Sequence, residues 1–206
     1  MPDNRVVHIV DDDEAVRQSL AFMLSAAGLA VRVYDSASAF LAGFPGVQDG
    51  CLITDVRMPD MTGIELLHKV RAKGGSLPAI VITGHGDVAL AVEAMKAGAA
   101  DFIEKPFDEE TILSAVHGAL ERGADEGNGP AIAARIATLS ERERQVLEGL
   151  VSGNPNKIIA QDLGISPRTV EVYRANLMAK MQAKTLSKLI RMAIQAKLPA
   201  DRNAQK

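Results

Sequence analysis

The sequence predicts an α/β unit built on a five-stranded parallel sheet, followed by a smaller, all-helical unit. Three observations carry this. Residues 1–122 alternate short β-rich apolar runs with amphipathic stretches five times, and strands covered on both faces read as near-continuous apolar runs. Residues 139–198 show only helical patterns. The charge also breaks between the halves: residues 1–123 carry −8 and residues 124–206 carry +5, within a total of −3 for 206 residues.

Taken in order, strands are predicted at "VVHIV" (6–10), "AVRVY" (30–34), "CLITD" (51–55), "AIVIT" (79–83) and "DFIEK" (101–105). Helices are predicted at 14–27, 36–43, 63–73, 87–97 and 108–122. Gly28, Gly74 and Gly98 each follow a periodic segment, where a left-handed terminal residue is wanted. "RGADEGNGPA" (122–131) has little to bury and reads as a linker. The expected division is therefore 1–122, a linker at 123–137, and 138–206. In the second half, Ser140 followed by Glu143 is a capping box opening a helix. A short helix from Asn156 to Leu163, a turn at Gly164, and Ser166–Pro167 as the start of another helix come next. Two such helices around a glycine form either a plain αα-hairpin or a helix-turn-helix. The last segment, 186–198, is amphipathic and is expected to serve as a dimer contact.

Composition excludes several classes. Hydrophobic residues make up 47% of the chain, enough for real cores. The single Cys51 forms no intramolecular disulfide, which fits a reducing compartment. The N-terminus lacks a signal-peptide shape, and no apolar stretch approaches the roughly 18 residues that span a bilayer. A cytoplasmic protein is expected.

The chemistry concentrates at the carboxyl ends of the strands, where open α/β sheets bind ligands. Asp11 and Asp12 end the first strand, Asp55 the third, Thr83 the fourth and Lys105 the fifth. Carboxylates so close call for a hard cation, and a few monodentate oxygens completed by water suit Mg²⁺. Lys105 and Thr83 add a point charge and a donor, a combination fit for a phosphoryl group. Asp13 and Glu14 have a simpler reading, as a helix cap and a first-turn acid favoured by the dipole.

The set "VDDD", "TDVRMPDMTG", "VITGHGD" and "AADFIEKPF" resembles, in order and spacing, the receiver domain of bacterial two-component response regulators. That resemblance implies a flavodoxin-like sheet of order 2-1-3-4-5. It makes Asp55 the phospho-acceptor, with Mg²⁺ on Asp11, Asp12, Asp55 and the Arg57 backbone carbonyl. It also implies that Thr83 and Lys105 contact the phosphoryl oxygens and that Phe102 turns inward as Thr83 moves. Lys105–Pro106 is then expected to be cis. The face formed by 87–97, 101–105 and 108–122, including Val92 and Lys96, would dimerise on phosphorylation. An aspartyl-phosphate phosphohydrolase is disfavoured: the position two residues past Asp55, where a general acid would stand, holds Arg57. His85 lies beside the site between glycines, an unsuitable place for a positioned base. No enzyme is expected.

Residues 139–198 resemble the LuxR/GerE-type DNA-binding domain. A helical wheel of 167–181 supports this independently, with Val170, Leu177 and Met181 on one stripe. The opposite face carries Arg168, Val172, Ala175, Asn176 and Ala179. Glu171 can accept from cytosine, Asn176 can pair with adenine, and Val172 or Ala175 can pack on a thymine methyl. Lys157, Arg168, Thr169 and Lys180 are expected on phosphates. Tyr173 and Pro155 depart from the family's usual His and Ser. A receiver followed by this module is the architecture of NarL/FixJ-family regulators. It implies promoter DNA, RNA polymerase and a sensor histidine kinase as partners. The similarity to the FixJ branch implies an oxygen-sensing FixL-type kinase and nitrogen-fixation or microaerobic genes, although FixJ-like paralogues with other kinases share these motifs.

Overall fold

The structure, a computed structural model, describes residues 5–44, 49–84, 88–121 and 129–196. By compactness the chain divides into an α/β unit of residues 1–86 with 97–124, and a helical unit of residues 125–206 with 87–96.

The alternation read in the first half is present. Strand β1 (Val6–Val10) leads to α1 (Glu14–Ala26), then β2 (Ala30–Tyr34), α2 (Ala37–Gly43), β3 (Gly50–Asp55) and α3 (Gly63–Ala72). Strand β4 (Ala79–Thr83), α4 (Val88–Lys96), β5 (Asp101–Glu104) and α5 (Glu109–Leu120) follow. All strands pair in parallel, in the order β2-β1-β3-β4-β5. Side chains at paired positions share a face. Val7, Ile9, Cys51, Ile53, Ile80, Ile82 and Ile103 meet Leu20 and Leu24 of α1 and Ile112 and Val116 of α5 in one core. On the other face the buried rings of His8 and Phe40 pack with Tyr34. The register aligns strand ends, pairing Val10 with Thr54, Asp55 with Ile82, and Thr83 with Glu104. That alignment brings the functional side chains to one rim.

Local chemistry sets the helix starts. Asp13 accepts from the amides of Ala15 and Val16 at 2.8 and 3.3 Å, the capping role read for it. Thr62 and Glu65 form a reciprocal capping box at α3, and Asp108 caps α5. The Lys105–Pro106 peptide is cis.

The helical unit begins earlier than the sequence suggested. Residues 129–137, expected within the linker, form α6 (Gly129–Ala137). Ile132 and Ile136, four apart on one face, are buried in the unit's core, and that burial outweighs the Gly-Pro start. Next come α7 (Glu141–Val151), opened by the Ser140–Glu143 capping box, and α8 (Asn156–Leu163). Gly164, at φ 64°, ends α8 in the left-handed region. Helix α9 (Pro167–Met181) starts on Ser166, whose hydroxyl accepts from the Thr169 amide at 3.1 Å. It stops at Gln182, which has φ 53°. The last helix is α10 (Leu186–Gln195). Leu189, Met192 and Ala193 of this helix lie in the unit's core, while Leu186 and Ile194, on the face expected to make a dimer contact, are part-buried against it. Residues 197 and 198 of that segment, and His85, lie outside the described residues. Among the described residues no helix is long and apolar enough to cross a membrane.

Candidate functional site

At the rim of the α/β unit, Asp11, Asp55 and Lys105 converge. Asp11 and Asp55 are buried, and the Lys105 ammonium sits 2.9 Å from Asp11 Oδ2 and 2.7 Å from Asp55 Oδ1. Each is delivered by the end of a strand or the residue beyond it. Lys105 is held by its amide, which donates to the Thr83 carbonyl at 2.7 Å. Burial pushes the Asp11 carboxyl above its ordinary range, against the pull of Lys105 and the Asp13 amide. Burial alone would depress the Lys105 ammonium, yet its hydrogen bonds to Asp55 and Asp11 carry it above the ordinary lysine range. The lysine therefore stays charged at neutral pH.

The four acids of 11–14 thus divide their labour. Asp11 is buried at the rim, Asp13 caps α1, and Glu14 lies in the first turn. Asp12 is exposed. Among the described residues no three acidic, histidine or cysteine side chains close around one point, and the ammonium of Lys105 bridges Asp11 and Asp55. The donor set still suits a hard divalent cation in kind. Two buried carboxylates, Asp11 and Asp55, share one ammonium, so their combined charge exceeds what Lys105 compensates.

Thr83 is buried at the end of β4. Phe102 is part-exposed and paired in register with Val81, two residues short of the level of Thr83. Val92 is buried and Lys96 exposed.

Several contacts at and around this rim were not read from the sequence. The Arg57 amide donates to Asp55 Oδ2 at 2.6 Å, so both oxygens of that carboxylate are held. Arg17 donates to the Asp11 carbonyl at 2.7 Å, and Asp60 accepts from the Ser38 amide at 2.8 Å. A Cβ on Gly63 would fall 2.2 Å from the Asp55 carbonyl oxygen. The glycine at a helix start in "MTG" was the one sequence signal for this contact.

In the helical unit, α9 presents the two faces the wheel assigned. Val170, Leu177 and Met181 are fully buried, whereas Arg168, Glu171, Val172, Ala175 and Asn176 are exposed. Val172, at 57% exposure, is one of few large apolar side chains left in solvent among the described residues. Lys157 is exposed on α8. Thr169 is half-buried, with its hydroxyl 2.8 Å from that of Ser166. Lys180 differs from expectation: its ammonium is engaged within the chain, 2.7 Å from Glu143 Oε2.

Comparison with known proteins matches residues 7–117 to the response regulator receiver domain and residues 137–193 to the bacterial regulatory proteins of the luxR family. The chain is 58% identical to the transcriptional regulatory protein FixJ of Azorhizobium caulinodans, covering 98% of each. It is 60% identical to FixJ of Rhizobium meliloti over 91% of this chain and 94% of that one. The chain belongs to the NarL/FixJ family of two-component response regulators. Full-length FixJ from B. japonicum is a structural neighbour, with a TM-score of 0.56, 49% identity, and coverage of 94% of this chain and 98% of that one. This response regulator accordingly joins a receiver with the 2-1-3-4-5 sheet to a DNA-binding helix-turn-helix, and α9 occupies the position of the second helix of that motif.

Proposed function

We propose that the protein is a phosphorylation-switched transcriptional activator, with Asp55 as the phospho-acceptor. The observation that carries this reading is the buried Asp55 carboxylate, held by the Lys105 ammonium at 2.7 Å and the Arg57 amide at 2.6 Å. The kinase's phosphohistidine donates: an Asp55 oxygen bonds to phosphorus, the nitrogen–phosphorus bond breaks, and the imidazole leaves. Asp11, Asp12, Asp55 and the Arg57 carbonyl would hold Mg²⁺, which when bound neutralises charge on the incoming phosphoryl group. Lys105 and the Thr83 hydroxyl then meet the phosphoryl oxygens, and Phe102 repacks as Thr83 moves. Positioning and electrostatics suffice for this chemistry. Arg57, in the place a hydrolase would need an acid, supports a switch over an enzyme.

The cognate donor in this reading is an oxygen-sensing FixL-type histidine kinase, and the output is nitrogen-fixation or microaerobic promoters, in the cytoplasm, through RNA polymerase. Phosphorylation favours a homodimer, which places two recognition helices on paired half-sites. The receiver spans 1–122, and the DNA-binding module extends from α6. On DNA, Lys157 and Arg168 contact phosphates and Thr169 supports them, while Glu171, Val172, Ala175 and Asn176 face base edges. The test is phosphotransfer to Asp55→Asn, which is nearly isosteric but not nucleophilic. Labelling should vanish while the fold persists; undiminished labelling of the variant would overturn the assignment.

A further inference from the structure

We propose that Glu143 and Lys180 form a clamp that positions the recognition helix, so that Lys180 serves DNA binding through Glu143 and not by touching phosphate. The proposal rests on the reading of α9 as the helix that enters DNA. Glu143 is a charged residue buried at the start of α7, its side chain only 5% exposed, and one of its carboxylate oxygens takes two contacts. Oε2 accepts from the Ser140 amide at 2.7 Å and from Lys180 Nζ at 2.7 Å. These contacts hold the carboxyl below its usual range, Lys180 first and the Ser140 amide second. The same corner gathers more of α9's C-terminal end: Arg135 of α6 donates to the Met181 carbonyl at 3.3 Å, and Lys180 reaches the Thr138 carbonyl at 3.5 Å.

Lys180 leaving this arrangement for a phosphate would strip a buried carboxylate of its cation, a cost that solvent discounts because the lysine side chain is 41% exposed. Glu143 therefore competes with any phosphate for this ammonium. What the pair fixes is the angle of a helix whose exposed face begins four residues away at Asn176 and runs back to Arg168. The other anchors of α9 are its buried stripe of Val170, Leu177 and Met181, the flanking Tyr173 and Met178, and Arg174, which donates to Asn156 Oδ1 of α8 at 2.9 Å; the clamp is the one that acts at its C-terminal end.

The experiment uses the full-length, phosphorylated protein and a duplex enriched from a random-sequence pool by the wild type. Affinity is measured well below the melting temperature and across salt. Lys180→Met and Glu143→Gln should each weaken binding about tenfold, the scale of one lost base contact. Both should leave the salt slope unchanged, the double variant should be no worse than either single one, and Lys180→Arg should restore affinity. A salt slope lowered by about 0.9 in Lys180→Met, or tighter binding by Glu143→Gln, would overturn the clamp by making Lys180 a phosphate ligand. Wild-type affinity of both folded variants would overturn it by reducing the pair to a stability element. Arg168→Ala, on α9 itself, serves as the control for the parent reading: if it binds with unaltered slope, the orientation of α9 fails separately.

Discussion

Gly63→Ala is expected to damage the receiver through backbone contact alone. A Cβ at that position lies 2.2 Å from the Asp55 carbonyl oxygen and 3.0 Å from Thr54 Oγ1. Ordinary van der Waals contact begins near 3.4 Å, so about 1 Å of separation must be found. Neither neighbour yields easily. The carbonyl belongs to a central strand paired on both sides, and the Gly63 amide donates to the Val56 carbonyl at 2.9 Å, which fixes the helix start. Overpacking of this kind costs about 1–3 kcal/mol. A displacement near 1 Å at a reacting group can cost as much as a hundredfold in rate. The assay pairs thermal melting with the rate of labelling by a small acyl-phosphate donor, which needs no kinase docking. Gly43→Ala is the control, because its Cβ would meet nothing within 4 Å and the backbone there is ordinary helix. It should be neutral or up to about 1 kcal/mol stabilising. Wild-type melting and wild-type labelling in Gly63→Ala would refute the reasoning.

Lys105→Met leaves Asp11 and Asp55 facing each other without their shared cation, and should cost roughly 2 kcal/mol given the lysine's partial exposure. Added Mg²⁺ should recover part of the lost melting temperature, whereas equal recovery by monovalent salt would argue against a divalent site. His8 is buried beside Tyr34 and Phe40, and burial first, then Arg32, hold its imidazole below the ordinary value near 6.5. The unfolded chain then takes up the proton first, so stability present above pH 6.5 declines as pH falls below it. Urea melts of wild type and His8→Leu between pH 7.5 and 5.5 (both on the order of the window set by the imidazole) should converge toward the acid end. A constant gap would refute the buried, neutral histidine. Lys157→Ala should weaken binding to all sequences and lower the salt slope by about 0.9, whereas Glu171→Ala should shift base preference at one position. Identical behaviour of the two would refute the assignment of α9's faces.

The strands and most helix limits were legible because each rests on local chemistry. Apolar runs mark β1, β3 and β4, and Asp13, Thr62, Ser140 and Ser166 sit at helix starts with their amide partners two or three residues on. The stripe of Val170, Leu177 and Met181 was equally local. What escaped was tertiary. Helix α6 looked like linker because Gly and Pro dominate its start, and its evidence is two isoleucines whose burial requires the other helices. The partner of Lys180 lies 37 residues away, and a lysine on a helix surface carries no mark of being taken. The Arg57 amide on Asp55 is a backbone donor, which no side-chain pattern can announce.

Helix α9 ends at Gln182 by backbone geometry, with a residue that is not glycine in the left-handed region. Its length is thereby fixed at 15 residues, about 22 Å at 1.5 Å per residue. The major groove is only about 12 Å wide, so a helix this long overhangs it. It then works as a lever whose fulcrum is at Lys180 and whose farthest base-facing residue is Glu171, roughly 13 Å away by the same rise per residue. A tilt of about 4° at the fulcrum carries that reading end by about 1 Å, a large fraction of a hydrogen bond's tolerance. Substitutions at the foot of the helix, far from any base, can therefore retune which bases are read at its head.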